Sequence, residues 1–190
     1  AAGGSFTFAY YTQQPYEVWL DMRLSNVGKS ARPDEMTTLF GGGGATATYN
    51  DRDPIVVNIP ADAQKVELAI VFSGHGQVDS PENCAEFCNF DHHFGVNGTD
   101  NQLEFPEAGS GYGCMEQVNI GTVPNQYGTW WYGRNGWCPG LEVPVRTLDV
   151  TAQINLGADN SFTYAAYKEG APYDNGGANL LLTSWVVVSK

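Results

Sequence analysis

Residues Lys65–Phe72 read KVELAIVF. Val66, Leu68, Ile70 and Phe72 fall at every second position. Successive side chains of an extended strand point to opposite faces, so a period of two predicts a β-strand with one face buried. The same alternation extends outward in both directions. In YEVWLDMRL (Tyr16–Leu24), Val18, Leu20, Met22 and Leu24 share a face opposite Trp19, Asp21 and Arg23. VRTLDVTAQI (Val145–Ile154) and LLLTSWVVV (Leu180–Val188) also read as strands. Between them stand turn signals: NVG (26–28), GGGG (41–44), NDRDP (50–54), NGTD (97–100), NQYG (125–128), CPG (138–140) and DNGG (174–177). No long amphipathic helix survives that punctuation. The expected fold is all-β, an antiparallel β-sandwich of jelly-roll type with long loops between Ser73 and Pro144.

Composition agrees. Of the 190 residues only 16% are charged, while there are 23 Gly, 10 Tyr and 5 Trp. Helical bundles spend far more on Lys, Glu, Ala and Leu. A chain of this length buries roughly 70% of its unfolded surface and needs no metal merely to fold. The formal charge of −12 comes from 21 acids against 9 bases, with no Lys/Arg cluster. Such a surface repels phosphate backbones and anionic lipid, so neither nucleic acid nor membrane is expected as a partner. No apolar run approaches the length of a membrane span. Cys84, Cys88, Cys114 and Cys138 are an even set with three pairings open. Few Lys and paired Cys fit a secreted, periplasmic or extracellular protein.

Rare residues gather in one region. Residues 73–140 hold all four cysteines, all three histidines and three of the five tryptophans. Loops that carry such residues on a β scaffold are where function usually sits. Several motifs there and elsewhere are false leads. GKS (28–30) lacks the glycine five places earlier, which is Arg23, so it is a turn and not a phosphate loop. Gly41–Gly44 suits a flexible hairpin or glycine-rich crossing. NGT at Asn97 is a glycosylation sequon, with meaning only in a eukaryotic producer. The C-x3-C spacing of Cys84 and Cys88 is not a C-x-x-C redox motif.

A metal reading starts from Cys84-x3-Cys88-x3-His92 with His93 next to it. Structural zinc motifs use tighter cysteine pairs and a second ligand pair at a distance. Copper could draw on His92, His93 and Met115, or on a cluster of Asp91, His92 and His93. The plain alternative puts the two histidines in a strand, one facing the core and one facing the loops.

Three pieces carry a resemblance to a known family. They are CAEFC (84–88), GC (113–114) and GWCPGLEVPVR (136–146), set among SGHGQ (73–77) and HHFGVNG (92–98) in the same order and separation. Together they resemble the C-terminal half of the peptide-N-glycosidase F family, amidases that release N-linked glycans. The strand pattern fits from about Tyr11 to the end. The resemblance implies one jelly-roll domain over residues 11–190. SFTFAYY at Ser5–Tyr11 would then hold the last strand of, or the linker from, a preceding domain, with residues 1–10 outside the sandwich. It also implies a second jelly roll as a partner, N-glycan or glycoprotein as substrate, and no cofactor.

Two disulfides are implied in the same way, Cys84–Cys88 and Cys114–Cys138. The second would close a 25-residue loop, worth about 3 kcal/mol by chain entropy. The first would stiffen a turn carrying Glu86. Hydrolysis of a glycosyl-asparagine amide needs a base to activate water and an acid for the leaving nitrogen. Two carboxylates divide that work when their surroundings separate their pKa values. Glu86 matches the family's glutamate, Arg134 its sugar-side arginine, and Trp137 an aromatic wall, since flat sugar faces stack on indole. Trp137 could equally pack on the Cys114–Cys138 bridge. The family's aspartate lies in the other domain and has no counterpart here. SGHGQ places His75 where the family has a tryptophan, and DHH (91–93) replaces a Thr-His-Thr. The competing readings are a noncatalytic glycan- or protein-binding module, and a copper-binding relative of peptide-hydroxylating monooxygenases.

Overall fold

The computed structural model describes residue 7 and residues 32–76, 90–110, 112–125, 128, 135–172, 174 and 179–190. Among these lie eight strands: β1 (Pro33–Gly44), β2 (Ile55–Ile59), β3 (Lys65–His75), β4 (Asp91–Val96), β5 (Thr99–Leu103), β6 (Val145–Asp149), β7 (Ala158–Tyr167) and β8 (Asn179–Ser189). They form two four-stranded sheets, β1-β8-β3-β6 and β2-β7-β4-β5, with every neighbouring pair antiparallel. The jelly-roll sandwich expected from the sequence is what the chain forms.

β3 shows why. It alternates buried and half-buried residues along its whole length, with Val66, Leu68, Ile70 and Phe72 inward. β8 pairs with all of it, from Lys65 opposite Ser189 to His75 opposite Asn179, and sends Leu180, Leu182, Val186 and Val188 into the same core. From the other sheet, Phe94, Val96, Phe162 and Tyr164 meet them. Phe40 lies 5.8 Å from Tyr164, centroid to centroid, and Phe72 lies 4.0 Å from His92, so rings bridge the layers.

The structure revises three expectations. The 145–154 stretch is strand only through Asp149; Thr151–Gln153 turns as a 3-10 helix because Thr151 bonds back to Asp149 Oδ1 and to Val66. Residues 73–144 are not all loop, since the β4–β5 hairpin lies inside them. HHFGVNG runs along β4 and into the turn that follows it. The hairpin turns at Asn97 and Gly98, whose φ angles of 50° and 86° give the primed turn that matches strand twist. Gly41–Gly44, finally, is not a free hairpin; it is the end of β1, paired to β8. A Cβ on Gly42 would sit 2.0 Å from the Leu180 carbonyl oxygen, so only glycine lets the two backbones come this close. The Tyr16–Leu24 strand expectation lies outside the described residues.

β1 is bulged. Its register with β8 slips between Thr38 and Gly41, which leaves the Phe40 backbone opposite a side chain instead of a ladder partner. Ser184 supplies that partner: its hydroxyl accepts from Phe40 N at 3.0 Å and donates to Phe40 O at 3.2 Å. A buried hydroxyl thus replaces two strand hydrogen bonds.

Candidate functional site

The loop after the second half of the cysteine region is pressed onto the end of β3. Gly74 N donates to Asn135 O at 3.0 Å. Gly136 has φ 97°, and a Cβ there would meet the Phe72 carbonyl oxygen at 2.7 Å, so a side chain would push the loop away. Two residues on, Cys138 is disulfide-bonded to Cys114 with Cα atoms 5.4 Å apart. Val123 N donates to Pro139 O at 2.9 Å, tying the loop to the chain beyond Cys114. Between these anchors stands Trp137, half-buried.

Trp137 Nε1 donates to Ser73 Oγ at 3.0 Å, and Ser73 Oγ is hydrogen-bonded to His75 Nε2 at 2.7 Å. Ser73 and His75 are two apart on β3 and share its outer face. The structure therefore brings together two of the residues singled out from the sequence, His75 and Trp137, through a serine that was not singled out. The three line a groove of about 540 Å³ with Gly42, Gly43 and Thr183. Its walls are otherwise apolar, with Val71, Val143, Leu181 and Leu182. No carboxylate is among these described lining residues. Asn135, next to the groove loop, is fully buried with neither amide atom hydrogen-bonded, a state that in native folds marks strain or function.

The indole also borders a second groove, of about 410 Å³, lined by Glu107, Gln117, Cys138, Leu141, Glu142, Pro144 and Arg146. Arg146 Nη2 donates to Glu107 Oε1 at 2.7 Å, and its guanidinium lies 5.3 Å from the Phe105 ring centroid. Arg146 closes the GWCPGLEVPVR stretch, but nothing in the sequence places Glu107, 39 residues earlier, beside it. Glu107 sits on a single helical turn (Pro106–Gly109), and sequence periodicity does not report such a neighbour.

Glu86, Arg134, Cys84 and Cys88 lie outside the described residues. The metal cluster of Asp91, His92 and His93 does not assemble. The residues are consecutive on β4, so His92 points into the core while Asp91 and His93 point away from it. His92 is 1% exposed, ringed by Phe72, Phe105 and Tyr164, with Nδ1 3.0 Å from the Tyr164 hydroxyl. Burial, and secondarily the neighbouring His93, lowers its pKa to about 3. His93 instead bonds Asp100 at 2.6 Å across the hairpin. Among the described residues no three His, Cys, Asp or Glu side chains converge as metal ligands would, and Met115 sits 42% exposed on a 3-10 helix (Met115–Ile120). The plain alternative for the two histidines is the one the strand produces.

Comparison with known proteins adds the family. Residues 45–187 match the family described as peptide-N-glycosidase F, C terminal. Over 138 residues the chain is 28% identical to peptide-N(4)-(N-acetyl-beta-D-glucosaminyl)asparagine amidase F of Elizabethkingia miricola, covering 70% of this chain and 37% of that protein. A solved structure of a peptide-N(4)-(N-acetyl-beta-D-glucosaminyl)asparagine amidase superposes with a TM-score of 0.62 at 21% identity, covering 82% of this chain and 51% of its own. Another, of the glycosylasparaginase PNGase F from Flavobacterium meningosepticum, gives 0.54 at 22% identity over 83% and 53%. The chain thus spans about a third to a half of the length of these relatives. With its two sheets, its bridged Trp137 loop and a match over three quarters of its length, the chain belongs to the peptide-N-glycosidase F C-terminal domain family.

Proposed function

We propose that this chain is the carbohydrate-facing, C-terminal half of a glycosyl-asparagine amidase acting on N-glycoproteins. The observation that carries the reading is the Trp137–Ser73–His75 line along the 540 Å³ groove. An indole held edge-on by a hydrogen bond offers a flat apolar face to a sugar ring, while the serine and histidine beside it reach hydroxyls. His75 then serves the glycan where relatives place a tryptophan.

In this reading water attacks the asparagine side-chain carbonyl, the C–N bond breaks, and the glycosylamine leaves as asparagine becomes aspartate. Glu86 is one of the two carboxylates that handle the protons, with Arg134 orienting the sugar; the Cys84–Cys88 bridge stiffens the Glu86 turn. The second carboxylate comes from a further jelly-roll domain, consistent with the greater length of the relatives. The Cys114–Cys138 disulfide supports an oxidising, extracytoplasmic location. No helix among the described residues is long and apolar enough to cross a membrane.

A groove whose described lining holds no carboxylate favours a second reading, glycan binding without hydrolysis by these 190 residues. Mass spectrometry of an N-glycopeptide incubated with the chain separates the two. Loss of the whole glycan with aspartate left behind, abolished by Glu86→Gln, supports hydrolysis within the chain. An intact glycopeptide that nonetheless binds, with binding weakened by Trp137→Ala, assigns the chain the binding role alone. Absence of both binding and release would defeat the proposal.

A further inference from the structure

The second groove, which shares Trp137 with the first, has a composition of its own. One wall is apolar: Leu141, Pro144 and the Cys138 end of the disulfide. The lining also holds the Glu107–Arg146 pair, a carboxylate acceptor and a guanidinium donor 2.7 Å apart, with Gln117 and Glu142. Both partners of the pair are more than a third exposed on their side chains, so a ligand can reach them. Arg146 Nε is buried without an acceptor, so a ligand in the groove meets the guanidinium at its terminal nitrogens.

These features choose among ligand classes. Two carboxylates against one guanidinium, on a chain of charge −12, disfavour phosphate, sulfate or an acidic sugar. A purely apolar ligand would leave the ion pair desolvated and unrewarded. An uncharged pyranose satisfies both sides: its C–H face lies on the Trp137–Leu141–Pro144 wall, while neighbouring hydroxyls donate to Glu107 and accept from Arg146. A volume of about 410 Å³ is in the range of small-ligand sites.

We infer that this groove is a second carbohydrate subsite, which takes a neutral sugar further along the same glycan whose first sugars lie against His75 and Ser73. The inference rests on the glycan reading above. Trp137, shared by both grooves, is the partition over which the oligosaccharide crosses.

The test is NMR titration of the full chain with a neutral four-unit β-linked N-acetylglucosamine oligosaccharide, and separately with its two-unit fragment and with tetralysine. The tetrasaccharide should saturably shift the His75 ring, the Leu141 methyls and the Gln117 side-chain amide. Glu107→Gln should weaken tetrasaccharide affinity at least fivefold and leave the fragment's effect on His75 unchanged. If His75 responds while Leu141 and Gln117 stay still, the second subsite is refuted and the glycan reading stands. If no sugar moves either groove, both fall together. If tetralysine alone moves Leu141, in a salt-sensitive way, the groove belongs to a basic peptide and the inference is overturned. The resonance map decides these outcomes in the unaltered chain, whatever the folding of the variant.

Discussion

The two sheets of the sandwich face each other with different chemistry. The β1-β8-β3-β6 sheet turns an almost wholly aliphatic and aromatic surface inward, with Ser184 and the strand-end Ser189 as the buried polar residues of β8. The β2-β7-β4-β5 sheet sends in His92, Asn160 and the hydroxyl of Tyr164. Asn160 is fully buried and accounts for much of one end of that sheet. Its amide donates to Asn155 O and Ala158 O, and its oxygen accepts from Asn155 N and Asn97 Nδ2. Tyr164 links His92 to Tyr49, with Arg52 over both tyrosine rings. The first sheet is held by transfer of apolar area, and the second relies additionally on a fixed polar network. The first should therefore respond to lost volume, the second to lost partners and to pH.

Among single substitutions at neutral pH, the largest expected effect is in the first sheet. Phe72→Ala removes a 2% exposed ring packed against His92 and Phe105 and should cost about 4 kcal/mol in denaturant unfolding. A loss under about 1 kcal/mol would mean that the layers do not depend on that contact. Next comes Asn160→Ala, which leaves two carbonyls and two N–H groups without partners and should cost about 3 kcal/mol. Asn160→Ala milder than a surface substitution would erase the distinction between the sheets.

Acid should act on the second sheet through His92. Its pKa lies near 3 in the fold against 6.5 free, so the unfolded chain binds more protons over that window. Stability therefore falls as pH drops below 6.5, by up to about 1.4 kcal/mol per pH unit, and this contribution stops changing below 3. Phe72, Phe105 and Tyr164 enclose the ring and supply no carboxylate to offset the charge. The difference in acid slope between the parent and His92→Phe isolates the effect from other groups; identical slopes would remove it. Smallest is Ser184→Ala, which deprives the β1 bulge of its substitute hydrogen bonds at a cost of about 1.5 kcal/mol and should not alter the pH profile.

The same contrast explains how much the sequence discloses. β3 and β8 are legible because one apolar face is buried and one is not, and a period of two is the direct imprint of that asymmetry. β1 is not legible. PDEMTTLFGGGG has no alternation, because an edge strand with bulges buries Leu39 and Phe40 side by side. β7 hides too, since its inward positions include Asn160, which pattern reading assigns to turns. At the candidate site, His75 and Trp137 were marked by the motifs that carry the family resemblance. Ser73 acquires its role only when β3 meets the Gly136 loop, and Glu107 only when Arg146 crosses to it. Neither junction leaves a periodic trace.

Asn97 gives the hairpin turn a chemical clock. Its Nδ2 spends hydrogens on Gln153 O at 2.8 Å and on Asn160 Oδ1 at 2.7 Å, and its Oδ1 accepts from Ser161 N at 3.0 Å. An asparagine before glycine ages when the glycine nitrogen attacks the side-chain carbonyl and ammonia departs, leaving a cyclic imide that water opens to aspartate or isoaspartate; the attack needs the amide to swing free. Folded, the amide is clasped on both sides; unfolded, it is not. Each excursion out of the native state exposes Asn97 to conversion into aspartate, which has no N–H to return to Gln153 and Asn160. The sequon that invites a glycan by its letters is, in the fold, an amide with both hydrogens already committed, and its slow conversion would keep a record of how long each molecule has spent unfolded.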